Sequence, residues 1–108
     1  MRSFLAALGC AALLGGPVFA QAQEQPPDSV THAAIDAASA YLQVPPENLL
    51  VVMSVPRDWP DSSIGCPQPG MAYAQIIIPG YIVTVDTDDF VTEVQVHSDG
   101  DGQHTAIC

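Results

Sequence analysis

The sequence predicts an α+β domain, with one N-terminal helix packed on an antiparallel sheet of four to five strands and closed by one disulfide. Three observations predict it. Alanine-rich residues at helical spacing occur once, between about residues 30 and 43. Short runs of alternating β-branched residues then follow, separated by Pro, Gly and Asp turns, which is the order of a meander. Beyond the first twenty residues the cysteines are an even pair, Cys66 and Cys108, as expected of a disulfide in a small exported domain.

Export is read from the start of the chain. Met1-Arg2-Ser3 is a short positive opening, Phe4 to Leu14 is apolar, and Val18-Phe19-Ala20 places small residues before Gln21 as signal peptidase requires. Such a run is short of the roughly 20 apolar residues of a permanent anchor. Residues 1–20 are therefore expected to leave as a signal peptide, and the mature chain to be periplasmic or secreted. Ala7-Leu8-Gly9-Cys10 also resembles a lipoprotein box, but the apolar run continues past Cys10 to Ala20. Cleavage leaves roughly 88 residues, enough for one domain.

Residues 21–28 read as a disordered polar leader ending in Pro-Pro. Asp28 or Ser29 can cap a helix running from about Val30 to Gln43. Val30, Ala34, Ala37 and Tyr41 form its stripe, with Ala33, Ala38 and Leu42 beside them. Pro45-Pro46 stops it. Leu49 to Val55 alternates as a strand, with Val51, Met53 and Val55 on one side and Leu50, Val52 and Ser54 on the other. Pro56 ends the pairing there or marks an edge. Arg57 to Gly70 is a stiff loop rich in Pro and Gly. Met71 to Ile78 is expected as a strand, Pro79-Gly80 as a tight turn, and Tyr81 to Val85 as the returning partner. Asp86 to Asp89 turns again, and Phe90 to His97 alternates as another strand. Ser98 to Gly102 is a turn, and Gln103 to Cys108 a short last strand.

Composition excludes several functions. Twelve acidic residues face Arg2 and Arg57, with no lysine. After cleavage Arg57 stands alone against those twelve, a formal charge of −11. A non-specific nucleic-acid binder must neutralise phosphates with cations, so nucleic acid is excluded as a partner. Docking on anionic lipid is disfavoured for the same reason, and no later segment could span a bilayer. The acidic surface keeps the chain soluble and could steer a basic partner. A monomer is expected.

The stretch Trp59-Pro60-Asp61-Ser62-Ser63-Ile64-Gly65-Cys66-Pro67-Gln68-Pro69-Gly70, followed by Tyr73-Ala74-Gln75, Pro79-Gly80-Tyr81 and a closing cysteine, resembles a group of small, largely uncharacterised exported bacterial domains. Those domains carry an aromatic-rich strand ending in Tyr-His after the hairpin; here Val94-Gln95-Val96-His97 matches only at His97. The helix-then-meander order is also similar to PepSY and cystatin-like folds, groups that include protease inhibitors. Gln75 to Gly80 resembles the cystatin Gln-x-Val-x-Gly hairpin with one residue too many.

Joined to Cys108, Cys66 would pin the loop at its middle, and Pro60, Pro67 and Pro69 would stiffen it. A pre-ordered loop loses little entropy on binding. The candidate binding surface is therefore Trp59, Asp61, Ser62, Ser63, Ile64, Gly65, Pro67 and Gln68, with Pro79 and Gly80. The expected function is a non-enzymatic binding module acting on a protein partner, an extracellular protease foremost. The alternatives are a Trp59 lid with Asp61 and Ser62 capping a turn, and a structural or envelope-associated domain. Catalysis is not expected: Ser62 and Ser63 lack a nucleophile elbow, and the domain has little room for a pocket. Besides Cys66 and Cys108 as free thiols, the alternative to their disulfide, the candidate metal ligands are His97, Asp99, Asp101 and His104. They lack zinc spacing and the bidentate acid of a calcium loop, and no cofactor is expected.

Overall fold

The computed structural model describes residues 25–108; the expected signal (residues 1–20, with Cys10) and the first leader residues lie outside the described residues. Helix α1 spans Asp28–Leu42. It starts two residues earlier than the expected Val30, because the Pro27 carbonyl accepts from the Val30 and Thr31 amides at 3.0 and 3.3 Å. Neither Asp28 nor Ser29 caps it by a side chain. Asp28 instead stands in the first turn, where its charge suits the helix dipole. The helix ends before the prolines. Gln43 turns left-handed (φ 59°) and donates its amide to Ser39 O at 2.8 Å, a short-range C-cap.

Val30, Ala34 and Ala38 are fully buried. The buried stripe thus runs in steps of four, and Tyr41, expected on it, is exposed. Methyl side chains let the helix axis approach the sheet closely. The four-stranded antiparallel meander beneath is β1 (Leu49–Trp59), β2 (Ile78–Thr87), β3 (Glu93–Asp99) and β4 (Thr105–Ala106), in that order. A 3-10 turn, Pro46–Asn48, leads into β1.

Register decides which side chains meet the helix. Val83 lies opposite Val96 and Val85 opposite Val94, and cross-strand partners share a face. Val83, Val85, Val96 and Leu49 form one core with the helix stripe. In β1 the register shifts between Val51 and Met53. This one-residue bulge flips the alternation: Val51 faces Val85 and Ser54 faces Val83, while Met53 and Val55 are exposed. Val51, Met53 and Val55 therefore do not share a face.

Two expected elements change. Residues 71–77 form no strand, and Pro79-Gly80 lies inside β2, opposite Asp58 and Arg57. The hairpin is β1 with β2, and its connection is the whole of residues 60–77. Pro56 sits within β1, paired with Tyr81. β1 is an edge strand, the place where a residue without an N–H costs least. The turn before β3 extends to Thr92, with Phe90 at φ 59° and exposed. No helix among the described residues is long and apolar enough to cross a membrane.

Candidate functional site

Helix α1 covers one face of the sheet. On the opposite face the loop after β1 folds back over Trp59. The Trp59 ring is 1 % exposed. It stacks on His97 of β3 with centroids 4.6 Å apart, and the Arg57 guanidinium lies 5.1 Å from its centroid. To reach across, the indole N–H passes β2 and donates to Ser98 O at 2.9 Å. Gly80 makes this possible, since a Cβ there would lie 2.7 Å from Trp59 Nε1 and 2.0 Å from Ser98 O.

From Trp59 the loop makes a tight coil. Asp61 accepts from the Ser63 amide at 2.9 Å and from the Ser63 hydroxyl, an Asx-turn. These two bonds hold the Asp61 carboxyl below its ordinary value. Ile64 and Gly65 both take positive φ, 45° and 85°. For a β-branched residue that backbone is strained. The twist buries the Ile64 side chain and aims its carbonyl at His97 Nδ1, 2.8 Å away. A carbonyl only accepts, so His97 carries its proton on Nδ1. Gly65 lies where a Cβ would come within 2.6 Å of the Trp59 ring.

The Cys66–Cys108 disulfide closes the coil, with Cα atoms 5.7 Å apart across 42 positions of sequence. Cys66 Sγ lies 3.4 Å from His97 Nδ1. Cys66, His97 and Cys108 present their ligand atoms within 4.8 Å of one another. In the oxidised chain the sulfurs are bonded to each other and Nδ1–H is committed to Ile64 O, so the three do not form an open metal site.

The expected binding residues divide into a buried and an exposed set. Trp59, Ser63 and Ile64 are buried, and Asp61 is half-buried. Ser62, Gly65, Pro67, Gln68 and Pro79 are exposed, and Gly80 is buried under Trp59. Past Cys66 the loop turns outward. Met71, Ile76 and Ile77 are 60, 59 and 71 % exposed. This stretch is nevertheless tied down. Ala74 exchanges two hydrogen bonds with Ser62, at 3.0 and 2.8 Å, and the Tyr73 hydroxyl accepts from the Gln68 amide at 2.9 Å. Sequence reading missed these apolar side chains because residues 71–78, apolar but for Gln75, read as a strand. It also missed His97 as a partner of Trp59 and Cys66, which only the sheet register brings together.

The four candidate metal ligands are not assembled. His97 faces the disulfide. Asp99 pairs with His104 at 2.9 Å and accepts the Gly102 amide; Asp101 accepts the Gln103 amide. Burial would raise the Asp99 carboxyl, but the hydrogen bonds from His104 and its turn hold it below its ordinary value. Ser62, Asp99 and His104 do line one small cavity of about 130 Å³, with Ile64 and Ile78. Serine, histidine and aspartate there do not form a relay. Ser62 makes no hydrogen bond to His104, its Oγ accepts from the Ala74 amide, and the His104 side chain is 78 % exposed. Nucleophilic catalysis needs the serine–histidine bond.

Fold and site together define a disulfide-closed α+β domain that carries a tethered loop on the sheet face opposite its helix. Residues 31–108 match the family described as Domain of unknown function (DUF8738), and the chain belongs to it. No curated protein and no solved structure matches the chain.

Proposed function

We propose that this domain is an exported, non-enzymatic binding module that inhibits or modulates an extracellular protease. The contact segment is the outer part of the loop, residues 67–77. One observation carries the reading: Met71, Ile76 and Ile77 stand exposed on a segment fastened at Cys66, at Ala74 and where β2 begins. Large apolar side chains on a pre-ordered loop bind with little entropy lost. Trp59, Ile64 and the disulfide form the pedestal of that loop. The motif shared with small exported bacterial domains supports export, and the helix-then-meander likeness to inhibitor-containing groups supports the target class.

The test titrates the oxidised protein against serine, cysteine and metalloproteases. Stoichiometric inhibition of one class is expected, weakened at least tenfold by Met71→Ser with Ile76→Ser and Ile77→Ser. Absence of inhibition by folded protein overturns the reading. The burial of Ser63 and Ile64 favours a second one, in which the loop only seals the sheet and the domain is a structural component of the envelope. Affinity capture that returns envelope components and no protease would establish that reading.

A further inference from the structure

We infer that the Cys66–Cys108 disulfide is a thiol-exchange site with a built-in direction: an incoming peptide thiol bonds to Cys108, and Cys66 leaves. The polarity comes from the surroundings of the two sulfurs. Cys108 is exposed, whereas Cys66 is half-buried in the coil. His97 Nδ1–H, fixed as a donor by Ile64 O, lies 3.4 Å from Cys66 Sγ. That N–H can share its proton with a sulfur carrying negative charge, and charge-assisted hydrogen bonds are the stronger kind. Trp59 stacks on the imidazole and holds it in place. A thiolate formed at Cys66 thus meets a donor already oriented, and exchange runs faster when the leaving sulfur is stabilised.

The place of attack is also shaped. A shallow groove beside Cys108 is lined by Tyr41, Gln95, His97 and Ile107. β4 pairs only with His97 and Ser98 of β3. Among the described residues, the β3 edge from Glu93 to Val96 has no strand beside it, and it runs along this groove. An extended peptide bearing a cysteine can pair there by main-chain hydrogen bonds.

In the first step the peptide thiolate forms a bond to Cys108 Sγ. The Cys66–Cys108 bond breaks, and its electron pair goes to Cys66 Sγ. A second thiolate of the reductant then takes the peptide sulfur, releasing Cys108 as thiolate. Both cysteines take protons from water, and the reductant leaves as a disulfide. Reduction of the domain unfastens the coil from the Cys108 end.

The experiment exposes the oxidised protein to excess reduced glutathione, quenches with acid and locates the mixed disulfide by peptide mass. Glutathione is expected on Cys108; glutathione on Cys66 would overturn the inference. His97→Phe keeps a ring for Trp59 to stack on and removes the donor. Its exchange is expected to slow by about tenfold, from the loss of one hydrogen bond to a charged group. His97→Asn, which returns an N–H near the Nδ1 position, is expected to recover most of the rate. Equal rates in all three folded proteins would overturn the role of His97. Where His97→Phe does not fold, the position of the adduct in the natural chain decides.

Discussion

Gly80 is a residue whose only asset is its missing side chain. It pairs with Arg57 and Asp99 within strand β2, where glycine is a poor strand former. The indole of Trp59 crosses over it to reach Ser98 O. A methyl group at Gly80 would have to displace main chain of β3, because Ser98 O would lie 2.0 Å from it. Gly80→Ala is therefore expected to destabilise the domain by about 3 kcal/mol, the upper range for overpacking a tight site. Urea unfolding followed by Trp59 fluorescence measures it; a change below about 0.5 kcal/mol would show that Trp59 does not cross the strand as described. Pro79-Gly80 has turn chemistry in any sequence window, so turn was the natural expectation. Packing against a tryptophan twenty-one positions earlier overrode it.

Among the elements, the connection from β1 to β2 departs furthest from local expectation. Residues 71–77 are apolar but for Gln75, as in a strand, yet they pair with none: β2 already has β1 and β3 on its two sides, and the outer edge of β1 is left open. Asp61, Ser62 and Tyr73 satisfy the backbone of the loop instead. Its closure depends on the disulfide. In the chain-entropy treatment the loop of 42 positions closed between Cys66 and Cys108 contributes about 4 kcal/mol, a large share for so small a domain. Cys66→Ser with Cys108→Ser is expected to lose about that much, measured as the shift in urea unfolding free energy against the oxidised protein. A loss below 1 kcal/mol would mean that Trp59 packing and the Asp61 turn hold the loop without it.

For the whole molecule, charge governs the response to acid. The formal net charge is −10, and three carboxyls are held below their ordinary values by hydrogen bonds. Those are Asp61 by Ser63, Asp89 by Thr87 and Val91, and Asp99 by His104 and its turn against the opposing effect of burial. A carboxyl whose folded value is lowered gives stability that is complete above its unfolded value, near 3.9. That contribution is lost as pH falls through the folded value. The urea midpoint is thus expected to fall steeply only below about pH 4. The fall should be shallower when Asp61, Asp89 and Asp99 are all changed to Asn. The same profile in both proteins would show that these three carboxyls do not set acid stability.

The sequence by itself determined the fold class, the helix, the antiparallel character of the sheet and the pairing of two cysteines. These follow from local periodicity and from counting, which need no knowledge of what packs on what. It also marked residues 59 to 70 as the unusual segment. Tertiary structure alone decided the bulge at Val52, the place of Gly80 inside a strand and the inward turn of Ser63 and Ile64. It also decided the meeting of Trp59, His97 and Cys66. Each depends on strand register, and a shift of one residue exchanges the two faces of a sheet. Register is set by the summed packing of both faces, so no window of neighbouring residues contains it.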